Sequence, residues 1–134
     1  MYEKKCGDLK AGVSFRGKSY HCALELALDL IGARWKIMMF YQLRNGALRS
    51  SEPQRRMRDI SGKMFAQTAR ALERDGLIGR EVFPVAPLKV EYSLTALGDS
   101  AIPVIMQLGL WGKGLETFNM NTHAGSQNCQ VPNK

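Results

Sequence analysis

Apolar residues recur at helical spacing between Ala23 and Ile31 and fall on two faces, Leu24, Ala27, Leu28 and Ile31 on one and Ala23, Leu26 and Leu30 on the other. Glu25 and Asp29 fill the remaining sector. One apolar face can serve a core; the second needs another cover, and a partner subunit is the expected one. A second helix is predicted from Ala33 to Arg44, carrying Trp35, Ile37, Met38, Met39, Phe40, Tyr41 and Leu43 nearly all round, as a buried central helix would. Asn45-Gly46 is a turn signal, and Ala47 to Arg49 can form a short strand behind it. A short third helix is expected to end near Met57, with Ser51 as its N-cap, Gln54 at the reciprocal capping-box position and Pro53 in the first turn. Asp59-Ile60 makes a tight connection, after which Ser61 can cap a fourth helix running to Asp75 and closed by Gly76.

The period then changes from helical to alternating. Leu77 to Phe83 and Leu88 to Leu94 read as the two strands of a hairpin, the second alternating Leu88, Val90, Tyr92 and Leu94 with Lys89, Glu91 and Ser93. The tip, Pro84 to Pro87, is stiff because each proline fixes φ and lacks an N–H donor. Thr95 caps a C-terminal helical stretch reaching about Phe118, which Pro103 should kink or interrupt. The predicted fold class is mainly α with a small β-hairpin wing: a winged helix-turn-helix that dimerises through its N- and C-terminal helices. The expected dimer interface is Leu26, Leu30, Ile102, Ile105, Met106, Leu108 and Trp111. Periodicity places one domain over residues 21–118, between a flexible arm at 1–20 and a flexible tail at 119–134.

Composition narrows the function. The longest apolar run, Ile37 to Tyr41, is far short of the about 20 residues that cross a bilayer. No apolar stretch follows the N-terminal charge cluster, so a soluble cytoplasmic protein without a membrane partner is expected. Cys6, Cys22 and Cys129 form no C-x-x-C pair, and His21 and His123 lie outside any ligand-spaced cluster, so neither a disulfide framework nor a metal is expected. No cofactor is expected either. With no nucleophile–base pair, glycine-rich phosphate loop or carboxylate pair, enzymatic activity is not expected. The net charge of +7 lies entirely between Arg34 and Lys89, where twelve basic side chains face five acidic ones. A polyanion is the natural partner, with surplus surface Lys and Arg for solubility as the alternative; the candidate polyanion is double-stranded DNA.

The fourth helix can be tested as a groove reader. With Lys63 at zero and about 100° per residue, Gln67 falls at about 40°, Arg70 at about −20° and Arg74 at about 20°. Phe65, Ala69 and Leu72 cluster on the opposite side. Arg and Lys can bridge to guanine edges and Gln can pair with adenine, so Lys63 and Gln67 are placed as base readers. Ser61 with the helix amides, and Arg70 and Arg74 further along, suit backbone phosphates. Arg49, Arg55 and Arg56 flank the preceding helix as further phosphate contacts, and Lys89 beside the hairpin tip can touch the neighbouring minor groove or its phosphates, or stand as an ordinary exposed wing charge.

Five segments in order carry a resemblance: Cys22 to Glu25, Leu30 to Lys36, Ile60 to Met64, Leu72 to Ile78 and Phe83 to Thr95. Over roughly 22–112 the chain resembles the HxlR family of winged helix-turn-helix regulators. Membership implies homodimers that bind DNA specifically and regulate transcription. It also implies a candidate thiol sensor at Cys22, answering to an oxidant or small-molecule effector, since several members carry a reactive cysteine there. The family usually has Phe and Leu where this chain has Ser50 and Pro53, a hydroxyl residue at Ala66 and Leu at Ala69, which implies a weaker core under the helix-turn-helix. The alternative reading is a winged-helix module that binds another protein without specific DNA binding, its basic face incidental.

Overall fold

The computed structural model describes residues 11–125, and the side-chain surroundings of 11–118. The rest of the expected arm and tail, with Cys6, Cys129 and the surroundings of His123, lies outside the described residues. The chain divides into two compact units, one up to Ser100 and one from Ala101.

The first unit opens with an antiparallel hairpin that the sequence pattern does not predict, β1 (Val13–Phe15) and β2 (Lys18–Tyr20), in the segment expected as a flexible arm. Arg16 and Gly17 form its turn, both at positive φ, 52° and 82°, as a tight two-residue connection between twisted strands requires. Helices α1 (Ala23–Ile31), α2 (Arg34–Leu43), α3 (Ser51–Arg56) and α4 (Gly62–Arg74) follow, with β3 (Leu48–Arg49) between α2 and α3. Strands β4 (Ile78–Phe83) and β5 (Lys89–Leu94) form the wing, and β3 pairs with β5 to give a three-stranded antiparallel sheet in the order β3-β5-β4. The element order is the winged helix-turn-helix arrangement predicted from the sequence.

The core of this unit is Met39, Phe40 and Leu43 from α2, Pro53 and Met57 around α3, Phe65, Ala69 and Leu72 from α4, and Leu77, Ile78 and Tyr92 from the wing. Helix α2 is not buried all round as expected: Met38 and Tyr41 stay exposed, and the Arg44 guanidinium lies 3.8 Å above the Tyr41 ring. Its neighbours α3, α4 and β5 seal the other side. Pro53 is fully buried, so the position where the family pattern differs is a packed core site.

The cap of α3 also differs. The N-cap is Ser50 rather than Ser51; it has helical dihedrals and makes no side-chain cap bond, and the Ser51–Gln54 capping box does not form. The Ser50 N–H instead donates to the Val90 carbonyl at 2.8 Å, tying the helix start to the sheet. Helix α4 ends as expected. Gly76, at φ 80°, lets its N–H reach the Glu73 carbonyl and the Leu77 N–H reach that of Leu72, the paired bonds of a Schellman cap. Thr95 then caps α5 (Ala96–Asp99), accepting from the Gly98 N–H while its hydroxyl donates to the Gly76 carbonyl at 2.6 Å. Gly98 is buried, and a Cβ there would run into the Leu77 backbone oxygen.

The second unit is α6 (Ile102–Gly125), which extends seven residues past the expected end at Phe118. The helical stretch is interrupted at Ser100 and Ala101, and Pro103 sits in the first turn of the new helix, where a missing N–H costs no helical bond. No described helix is long and apolar enough to cross a membrane.

Candidate nucleic-acid interface

Helix α4 is positioned by a turn that local chemistry fixes. Met57 is buried at the end of α3, Asp59 takes a left-handed φ of 70°, and the Ile60 N–H closes on the Met57 carbonyl at 3.3 Å. Asp tolerates this conformation because its short polar side chain avoids much of the usual steric cost. Ser61 is extended, and its Oγ accepts from the Met64 N–H at 3.0 Å, so it is the N-cap that the sequence predicts.

Burial divides α4 along its length. Phe65, Thr68, Ala69 and Leu72 are buried, and the Phe65 ring meets Tyr92 of the wing edge-on with centroids 6.2 Å apart. Lys63, Gln67, Arg70 and Arg74 lie on the other side, all four exposed. Among the described residues Lys63 and Arg70 form no ion pair, whereas Arg74 has its Nε 3.6 Å from Asp75. The result is a basic ridge on a helix whose opposite side is locked into the core.

The other expected contacts sit less freely. Arg49 is exposed on β3. Arg55 and Arg56 are exposed on α3 but share the Glu52 carboxylate, at 2.6 and 3.5 Å, which leaves one positive charge between them. Lys89 is half-buried, 3.2 Å from Glu91 and 4.8 Å above the Phe83 ring. The strand register puts Lys89 on the sheet face opposite Tyr92, so it does not join the ridge. Two further arginines to which helical spacing assigns no role are exposed: Arg58 in the turn before α4, and Arg80, paired across the strands with Tyr92. Helical spacing cannot find them, since one lies in a turn and the other on a strand.

The apolar surface also differs from expectation. No residue of α1 is fully buried; Leu26 and Leu30 are half-buried, while Leu24 and Leu28 are 55% and 58% exposed. The hairpin packs on α1, and Leu30 shares a cavity wall with Phe15, so the open face is the one opposite the expected interface residues. On α6, Val104, Leu108, Trp111 and Leu115 form an exposed stripe at intervals of four, three and four residues. Met106 is exposed as well and Ile102 is half-buried, but Ile105 is buried in the single chain and presents nothing outward. Val104 and Leu115, which are not among the expected interface residues, belong to this exposed stripe. Cys22 is the N-cap residue of α1, half-buried, with no side-chain cap bond.

The HxlR-like helix-turn-helix family pattern matches residues 30–119. An HTH-type transcriptional regulator of Methanothermobacter thermautotrophicus is 46% identical over 94 residues, 70% of this chain and 72% of that protein. YkvN of Bacillus subtilis, likewise an HTH-type transcriptional regulator, is 42% identical over 95 residues, 71% of this chain and 80% of YkvN. Among solved structures, the oxidized form of the redox regulator HypR is similar with a TM-score of 0.67 and 40% identity, covering 69% of this chain and 96% of HypR. The basic ridge thus stands on a winged helix that these regulators share, and the chain belongs to the HxlR-like helix-turn-helix family.

Proposed function

We propose that the protein is a transcriptional regulator that binds double-stranded DNA as a homodimer in the cytoplasm, without catalysis. Helix α4 lies in the major groove, where Lys63 and Gln67 read base edges. Ser61, Arg70, Arg74, Arg49, Arg55 and Arg56 hold phosphates, and Arg58 and Arg80 add to the same field. The observation that carries this reading is the ridge itself, with Lys63 and Arg70 unpaired among the described residues and Phe65, Ala69 and Leu72 buried behind them. A solvated amphipathic helix would be free to neutralise such cations with neighbouring carboxylates, whereas a phosphate-binding helix benefits from leaving them open.

The homodimer rests on the apolar surface of the single chain. Leu24 and Leu28 on α1, and Val104, Leu108, Trp111 and Leu115 on α6, are large, exposed and regularly spaced, as partner-covered helices are. Two copies of α4 about 34 Å apart would read a pseudo-palindrome one DNA turn long.

Fluorescence anisotropy on fragments upstream of the gene tests the reading. Nanomolar binding that outcompetes random DNA is expected, with log affinity falling linearly against log salt by about 0.9 per phosphate contact. Equal affinity for random DNA would reject it.

A redox response belongs to the same proposal. HypR is described as a redox regulator and is similar in both its oxidized and reduced forms. In this chain Cys22 is half-buried at the N-cap of α1 and makes no side-chain cap bond. Cys22→Ser should abolish any loss of DNA binding on diamide treatment; a response that survives dismisses Cys22 as the trigger.

A further inference from the structure

Four cations from four separate elements converge on a cavity of about 310 Å³ in the first unit: Arg16 from the β1–β2 turn, Lys18 from β2, Lys36 from α2 and Arg74 from α4. The carboxylates of Asp29 and Asp75 also line it, leaving two positive charges in excess. One of these carboxylates is already committed, since Asp29 Oδ2 accepts from the Tyr20 hydroxyl at 2.7 Å and from Lys18 Nζ at 3.4 Å. Asp75 stands 3.6 Å from Arg74. Lys36 donates to the Asp29 backbone oxygen at 2.9 Å and forms no close ion pair with a carboxylate among the described residues. Arg16 forms no ion pair among them either; its guanidinium lies against Gly76, 3.0 Å from where a Cβ would stand, and 5.8 Å from the Phe15 ring centroid. The glycine that ends α4 is therefore also what admits this arginine.

From this geometry we infer that the cavity is a binding site for a small organic dianion, a dicarboxylate or a phosphate monoester. Its size is at the lower end of small-molecule sites, about 300 to 1,000 Å³, and its lining is mostly charged, which disfavours an apolar ligand. The excess of two charges matches a dianion. The guanidinium of Arg16 can take one acid group bidentately, and Lys36 supplies a point charge for the other. Three features place the site at the end of α4: Arg74, Asp75 and the Gly76 cap. A bound dianion would draw Arg74 inward, away from a DNA phosphate, and so weaken DNA binding; this coupling rests on the function proposed above, while the site itself does not.

Full-length protein labelled with ¹⁵N is titrated with succinate and, in parallel, inorganic phosphate, with succinamide at matched ionic strength as the neutral control. The expected result is a saturable shift of the amides of residues 16–20 and 74–76 with one or both dianions and none with succinamide. Saturation by succinate assigns a dicarboxylate and saturation by phosphate a phosphate ester. Arg16→Asn combined with Lys36→Gln should weaken binding by about tenfold or more, since each hydrogen bond to a charged group contributes about that factor. Asn tolerates the positive φ at position 16, so the turn is preserved. Absence of saturable shifts with both dianions, equal binding of succinamide, or unchanged binding by the double variant overturns the site. DNA anisotropy at saturating dianion then reads the coupling: lowered affinity in the native protein but not in the variant supports it, and unchanged affinity in both overturns it. If the protein binds no DNA, the amide shifts still decide the site by themselves.

Discussion

The ring of Phe65 stands edge-on to that of Tyr92, 6.2 Å away and inclined at 72°, so the helix with the basic ridge is keyed to the wing strand beside it. Both residues are buried, and the ridge inherits its orientation from that contact. Phe65→Ala should cost about 3 to 5 kcal/mol, as truncation of a buried aromatic usually does. Lys63→Ala, on the exposed side of the same helix, should change stability by less than about 0.5 kcal/mol. Urea unfolding of the two variants measures both; similar midpoints would mean that the burial division of α4 is wrong.

The two serines before α3 and α4 should behave differently despite their similar positions. Ser61 accepts a backbone bond from Met64, and Ser61→Ala should destabilise the protein by about 1 kcal/mol. Ser50 makes no side-chain cap bond, so Ser50→Ala should stay within about 0.5 kcal/mol. Thermal unfolding distinguishes the two, and an equal loss at both positions would contradict the cap assignment.

The Tyr20–Asp29 bond makes a prediction about pH. The bond to the Tyr20 phenol, aided by Lys18, holds the Asp29 carboxyl below its ordinary value, while burial opposes this. The same bond, followed by burial, pushes the Tyr20 phenol up to about 12. For Asp29 the folded pKa is depressed, so its contribution is complete above the unfolded value near 3.8 and is lost as pH falls through the folded value. For Tyr20 the folded pKa is raised, so its contribution is complete below the unfolded value of 10.0 and is lost as pH rises towards about 12. Tyr20→Phe should therefore lower stability at neutral pH and flatten both limbs of its pH profile. Phenolate absorbance checks the alkaline side; a wild-type titration with no late-ionising tyrosine would refute it.

Dimerisation should depend on the exposed side of α1. Leu24→Glu with Leu28→Glu places charge where both leucines are more than half exposed, so the single chain should keep its fold while the dimer dissociates. Sedimentation velocity reads this directly, and an unchanged mass would remove α1 from the interface.

Much of this is legible in the sequence because it is local. The ridge on α4 follows from helical spacing, and the Ser61 cap and Gly76 stop are signals within a few residues of the helix they bound. What escapes depends on distant partners. Ser50 fails as a side-chain cap, and the helix start is set by its N–H reaching the Val90 carbonyl across the sheet. Helix α1 has two apolar faces, and periodicity does not say which one the β1–β2 hairpin will cover. That hairpin does leave a trace, with Val13 and Phe15, then Lys18 and Tyr20, alternating about Arg16-Gly17. Three-residue strands are too short for their period to stand out from a polar arm. The cavity needs four elements assembled before its charges meet.

The central claim is that the unpaired cations of α4 meet DNA, and reversing them tests it most directly. Lys63→Glu combined with Arg70→Glu leaves the buried side of the helix untouched, so circular dichroism should report a native fold. Affinity for the selected operator, measured by anisotropy beside the native protein, should fall by about a hundredfold, given about 1 to 3 kcal/mol for each side chain that no longer meets a base or a phosphate. A folded double variant that binds the same operator with native affinity would contradict the account.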